Sequence, residues 1–125
     1  MIKIYHYSDK DFKRYLRPDF FGDNNYSGNS ARLSQVKRIY FYQNRQGREY
    51  QFNSAKYLYI ALVDKSRVYD LSRDNKGIVK NLKAGQDIYS EVKKAGYIGL
   101  AGNNGFKCIT IFKPVKILKR LTLTK

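Results

Sequence analysis

The chain has 125 residues, 42% hydrophobic and 15% aromatic, and its 25 Lys and Arg against 10 Asp and Glu give a formal charge of +15. That length suits one domain, residues 1–125, with one sizeable core. Cys108 is the single cysteine and His6 the single histidine, which rules out an internal disulfide and argues against a structural zinc site.

No apolar run is long enough to span a bilayer, and Met1 leads directly into a strand. These features predict a cytoplasmic chain without a leader or a membrane partner. The charge predicts a polyanionic partner: nucleic acid, a phosphorylated cofactor or an acidic protein.

Ile2-Lys3-Ile4-Tyr5-His6-Tyr7-Ser8 alternates with period two and predicts a strand. Ile2, Ile4, His6 and Ser8 share one face, so the only histidine sits near the carboxyl end. A lone strand histidine is most often a half-buried structural residue. Ser8-Asp9-Lys10-Asp11 has the pattern of a helix start, with Phe12, Tyr15 and Leu16 on one face and Pro18 as the stop. Residues 19–35 read as a long irregular binding loop carrying Phe20, Phe21 and Tyr26.

Val36–Tyr42 is the second predicted strand, followed by a polar turn over Asn44–Gly47 and a short continuation over Glu49–Phe52. Lys56–Val63 is apolar on both faces and is expected to be central. Arg67–Leu71 reads as another short strand, Ser72–Gly77 as a turn, and Ile78–Lys83 as a short helix. A better helix covers Asp87–Ala95, with Lys93 and Lys94 in its last turn and Gly96 as its left-handed stop. Tyr97–Leu100 and Phe106–Phe112 are strands around the Asn-Gly turn at 101–105. Val115–Leu123 is an edge strand or a tail along the sheet. The class is α+β, with a mostly antiparallel, strand-dominated sheet and two or three short helices.

Several segments in order then resemble a known family. They are Tyr5-His6-Tyr7-Ser8, Phe21–Ser27, Val36–Tyr42, Tyr57-Leu58-Tyr59, Val68–Leu71, Ala95–Gly99 and Ile109–Pro114. Together they resemble small ADP-ribosyltransferase-like domains of phages and bacteria, including those in phage polyvalent proteins. The resemblance implies a split, strand-rich fold that binds NAD between two small sheets. It implies an early-strand histidine on a ribose, aromatic rings on the nicotinamide, and a polar or acidic residue on a late strand. Breaking the glycosidic bond leaves an oxocarbenium-like sugar, which ring stacking and oriented hydroxyl contacts help to hold.

Carried onto this chain, the resemblance makes His6 the ribose contact, with Tyr7 and Ser8 beside it. Tyr26 and Tyr42 become the nicotinamide-stacking residues, with Tyr40 a weaker candidate, Arg38 a phosphate contact and Ser34 a polar contact. The late-strand position falls at Asn103-Asn104-Gly105, where many family members carry a glutamate. Asn103 can orient a ribose but brings no negative charge, and an ordinary hairpin turn is the simpler reading. Glu49 and Glu91 are the only glutamates, the second expected to be exposed on a helix. Cys108 is disfavoured as a nucleophile.

Two function classes follow. One is an NAD-dependent mono-ADP-ribosyltransferase acting on a host protein or nucleic acid, in keeping with a phage counter-defence factor. The other is an inert basic module of the same fold that binds nucleic acid or a ribonucleoprotein and inhibits it. A nuclease fits poorly, since no acidic cluster is present for magnesium.

Overall fold

A computed structural model describes residues 1–18, 36–44, 55–102 and 108–123. Eight strands are present: β1 (Ile2–Ser8), β2 (Tyr15–Leu16), β3 (Ile39–Tyr42), β4 (Tyr57–Val63), β5 (Val68–Asp70), β6 (Gly99–Ala101), β7 (Cys108–Ile111) and β8 (Val115–Thr122). One α-helix, α1 (Ile88–Lys94), and one 3-10 turn, Lys65–Arg67, complete the described elements. The strands form one mixed sheet in the order β2-β8-β4-β1-β3-β7-β6-β5, antiparallel except for the β5–β6 pair.

The α+β class and the dominance of strands agree with expectation; the helix content does not. Residues 9–17 form no helix. Ser8 caps a turn, its Oγ accepting the Lys10 N–H at 3.0 Å. The Tyr59 hydroxyl accepts the Phe12 N–H at 2.9 Å and donates to the Lys10 carbonyl at 2.6 Å. A tertiary partner thus takes the backbone groups a first helical turn would use. Leu16, wholly buried, pairs with Val115 on β8 instead.

Residues 78–83 likewise form turns. The Asp74 carboxylate accepts the N–H groups of Val79 at 3.0 Å and Lys80 at 2.9 Å, and the Tyr69 hydroxyl donates to it. A side chain that gathers these amides replaces a helical ladder.

α1 forms as its caps dictate. The Asp87 side chain accepts the Tyr89 N–H at 3.0 Å. Gly96 at φ 97° then closes the helix, with Gly96 N–H on Lys93 O and Tyr97 N–H on Val92 O. These two bonds make a Schellman stop. At Gly99 the ladder leaves no room for a side chain, because a Cβ there would lie 2.2 Å from the Thr110 carbonyl oxygen.

β4, expected to be central, is interior to the sheet. It pairs with all seven residues of β1, from Ile2↔Val63 to Ser8↔Tyr57, and with β8 on its other side. A flat sheet is impossible. β4 and β5 stand five strand spacings apart, about 24 Å at ~4.8 Å each. The chain from Val63 to Val68 spans at most about 18 Å, and less where it coils into the 3-10 turn. The sheet therefore folds about its middle.

The halves meet at the β1–β3 contact, where Tyr5 pairs with Tyr42. On one side lies the β2-β8-β4-β1 half and on the other the β3-β7-β6-β5 half. The inner face gathers Ile4, Leu16, Phe41, Tyr59, Ala61, Val68, Ile109 and Ile111 from both halves into one core. A second cluster, Tyr69, Tyr89, Val92, Leu100 and Phe112, forms where α1 covers the outer face of the β3-β7-β6-β5 half. No described helix is long and apolar enough to cross a membrane.

Candidate functional site

β1 places His6 on the inner face, two residues beyond the wholly buried Ile4 and one beyond the Tyr5↔Tyr42 ladder pair. Its ring reaches across the seam. Nδ1 lies 2.6 Å from the Tyr40 carbonyl oxygen, and because a carbonyl only accepts, Nδ1 carries the proton. In the neutral ring Nε2 is then the acceptor. A side chain thus ties the two half-sheets.

Aromatic rings surround the imidazole. Phe41 lies 5.5 Å away between centroids, Phe12 6.1 Å and Tyr59 6.5 Å. Phe12 reaches this position because the Tyr59 hydroxyl pins residues 10–12 over the end of the core. His6 is half-buried as a result. Beside Phe12 lies a shallow cleft of about 320 Å³ lined by Asp11, Lys13, Ile117 and Arg120. Arg120 pairs with Asp11 and lies over the Tyr57 ring at 4.7 Å. The Lys13 hydrogen bond, with help from Arg120, holds the Asp11 carboxyl below its usual range against some desolvation. Asp11 completes no capping box with Ser8; it pairs with Lys13 at 3.1 Å and with Arg120 of β8, 109 residues away.

The remaining expected site residues divide. Tyr7 stands edge-on to Tyr42 across the seam, 5.8 Å between centroids, on the outer face. Burial, and secondarily Cys108, raises the Tyr42 hydroxyl pKa. Ser8 ends β1, half-buried, with its hydroxyl committed to the Lys10 turn.

Arg38 is not a rim residue. It is wholly buried, with Nε donating to the Tyr40 hydroxyl at 2.8 Å, Nη1 to the Val36 carbonyl at 2.9 Å, and its guanidinium 4.2 Å over the Tyr89 ring. Tyr26, Asn103, Asn104, Ser34 and Glu49 lie outside the described residues. Register still places the strand that follows Asn103: Tyr42 pairs with both Tyr5 and Cys108, so the start of β7 is two strand spacings, about 10 Å, from β1. Glu91 is half-buried on α1 and pairs with Lys94 at 3.3 Å. Burial pushes the Cys108 thiol up, so it is protonated at neutral pH, as its strand setting implied.

A cleft of about 510 Å³ lies away from His6. It opens at the carboxyl ends of β5 and β6 and is lined by Lys65, Asp70, Ser72, Arg73 and Tyr97 among others. Ser72 donates to Asp70 from its backbone N–H at 2.9 Å and its hydroxyl at 2.6 Å, which holds that carboxyl below its usual range. The sequence reading missed this cluster. Its only local signal is the Asp70-Leu71-Ser72 spacing, a common turn pattern.

The His6 imidazole and Ser8 lie on the inner face, the Ser8 hydroxyl bonded to Lys10 N–H, whereas Tyr7 and Tyr42 lie on the outer face. Asp9, next after Ser8, is an exposed carboxylate. Among the described residues no group of three or more His, Cys, Asp or Glu is placed to hold a metal ion. No protein-family model, no curated protein and no solved structure matches the chain.

Proposed function

We propose that the chain is an NAD-dependent mono-ADP-ribosyltransferase that modifies a host nucleic acid or a protein bound to one. The observation that supports it best is the His6 ring between β1 and β3 of the folded sheet, with Nδ1–H held by Tyr40 O at 2.6 Å. That bond orients the imidazole, and in this reading the ring meets a sugar hydroxyl. Tyr42 stands on the opposite face of the sheet from His6 and leaves this reading; Tyr26 and Asn103, outside the described residues, are its further site residues. When NAD is bound, cleavage of its nicotinamide–ribose bond supplies the ADP-ribosyl group for an acceptor nucleophile.

The test is incubation with isotope-labelled NAD and host lysate, reading protein and nucleic acid separately. Label enters one fraction, and His6→Ala removes it. Labelling that survives His6→Ala takes His6 out of the chemistry; no labelling in either fraction overturns the transferase reading.

A second reading is a non-catalytic basic module that binds nucleic acid. The enclosure of Arg38 and the packing of Phe12 over His6 favour it, because both place expected cleft residues within the protein body. It predicts no release of nicotinamide and binding that weakens steeply with salt.

A further inference from the structure

The two halves of the sheet carry different outer faces. α1 covers that of the β3-β7-β6-β5 half, and among the described residues no helix covers that of the β2-β8-β4-β1 half. Register defines what the second face displays. Tyr5, Ile60 and Lys119 form one cross-strand row; in the next, Tyr7, Leu58 and Leu121, Leu58 is wholly buried. The exposed part of the face is therefore the end that carries Lys3, Leu62, Lys116, Lys119 and Tyr15. Lys3 lies beside Leu62, and Tyr15 beside Lys116. Lys3, Lys116 and Lys119 are exposed, as are Tyr15 at 41% and Leu62 at 38%.

The strands β1, β2, β4 and β8 contain no Asp or Glu. A face in a +15 protein that carries cations, tyrosines and no carboxylate on its own strands is complementary to a polyanion with flat rings.

We propose that the exposed end of this outer face is a docking surface for single-stranded nucleic acid, with Lys3, Lys116 and Lys119 on phosphates and Tyr15 stacked on a base. A single strand is favoured over a duplex because the exposed Tyr15 ring needs an unstacked base, and no described helix projects from this face to enter a groove. Beyond the residues that β2 and Arg14 cover, the outer side of β8 is shaped against sheet-to-sheet pairing. Leu118 is the extra residue of a bulge between Lys119, opposite Ile60, and Ile117, opposite Ala61, and Lys116 and Lys119 flank it. Such an edge resists a β-strand partner. The inference is independent of the NAD reading.

The test is fluorescence anisotropy of the full chain with labelled 15-nucleotide single-stranded and duplex probes across a sodium chloride series. The single strand binds tighter than the duplex. Three phosphate contacts give a log–log salt slope near −2, at about −0.7 per contact. The double variant Lys116→Glu with Lys119→Glu reduces that slope by about 1.4 and weakens binding at least tenfold. Tyr15→Ala weakens binding about tenfold with the slope unchanged.

One control keeps affinity within twofold: Lys93→Glu with Lys94→Glu on α1. Anisotropy is read without NAD, which separates this result from the transferase test. Equal loss from the α1 reversal would show diffuse attraction and overturn the proposal. So would a preference for duplex, or binding to anionic phospholipid vesicles with none to the oligonucleotide.

Discussion

The two halves of the folded sheet are built on the same period-two alternation and end in opposite states. In the β3-β7-β6-β5 half the outer positions Tyr69, Leu100 and Thr110 are 2% exposed or less, sealed by Tyr89 and Val92 of α1. In the β2-β8-β4-β1 half Leu58 is wholly buried too, but Lys3, Tyr15, Lys116 and Lys119 on the same face stand in solvent. The difference lies in which outer positions carry a cation: a lysine there keeps the face wet, and a run of apolar side chains recruits a helix. Stability is therefore concentrated in the inner core and under α1, and the other face is left for contact.

The largest expected effect breaks or confirms this division directly. Leu100→Ala, beneath α1, should cost about 2–5 kcal/mol, whereas Leu118→Ala, 56% exposed on β8, should stay within about 0.5 kcal/mol. Urea denaturation of the two variants measures both, and equal losses would mean the halves are not distinct.

A smaller effect sharpens the role of the helix. Asp87→Ala removes the cap on Tyr89 N–H and should cost about 1 kcal/mol. Amide exchange should quicken around Tyr89 and Val92 and remain slow in β1 and β4; uniform quickening would mean that α1 and the far half open together.

The smallest effect is one of pH. Asp74 is held below its ordinary value of 3.8, chiefly by the Tyr69 hydroxyl and then by backbone N–H groups. Its contribution is complete above 3.8. It is lost as pH falls from there through the lower folded value, because the unfolded chain takes up the proton first. Asp74→Asn should flatten the acid limb of the stability curve below pH 3.8, read by circular dichroism melts. An unchanged limb would place the acid sensitivity elsewhere, with Asp70 and Asp11 next in line.

Much of this molecule follows from neighbours in the chain. Alternation defines β1, β3, β4, β7 and β8; Asp87, the two lysines and Gly96 define α1; and the absence of acids from four strands is written in their letters. Those signals are local, carried by side-chain period and by caps that meet backbone groups two to five residues away.

Distant partners decided the rest. Residues 9–17 have a helix pattern, yet the Tyr59 hydroxyl and β8 take their backbone groups and Leu16. Arg38 reads as one cation among many until Tyr89 and Tyr40 enclose it. The seam at Tyr5 and Tyr42, beside His6, exists because a short link from β4 to β5 forces the sheet to fold. Such contacts depend on loop closure and shared burial between segments far apart in sequence, and no local pattern encodes them.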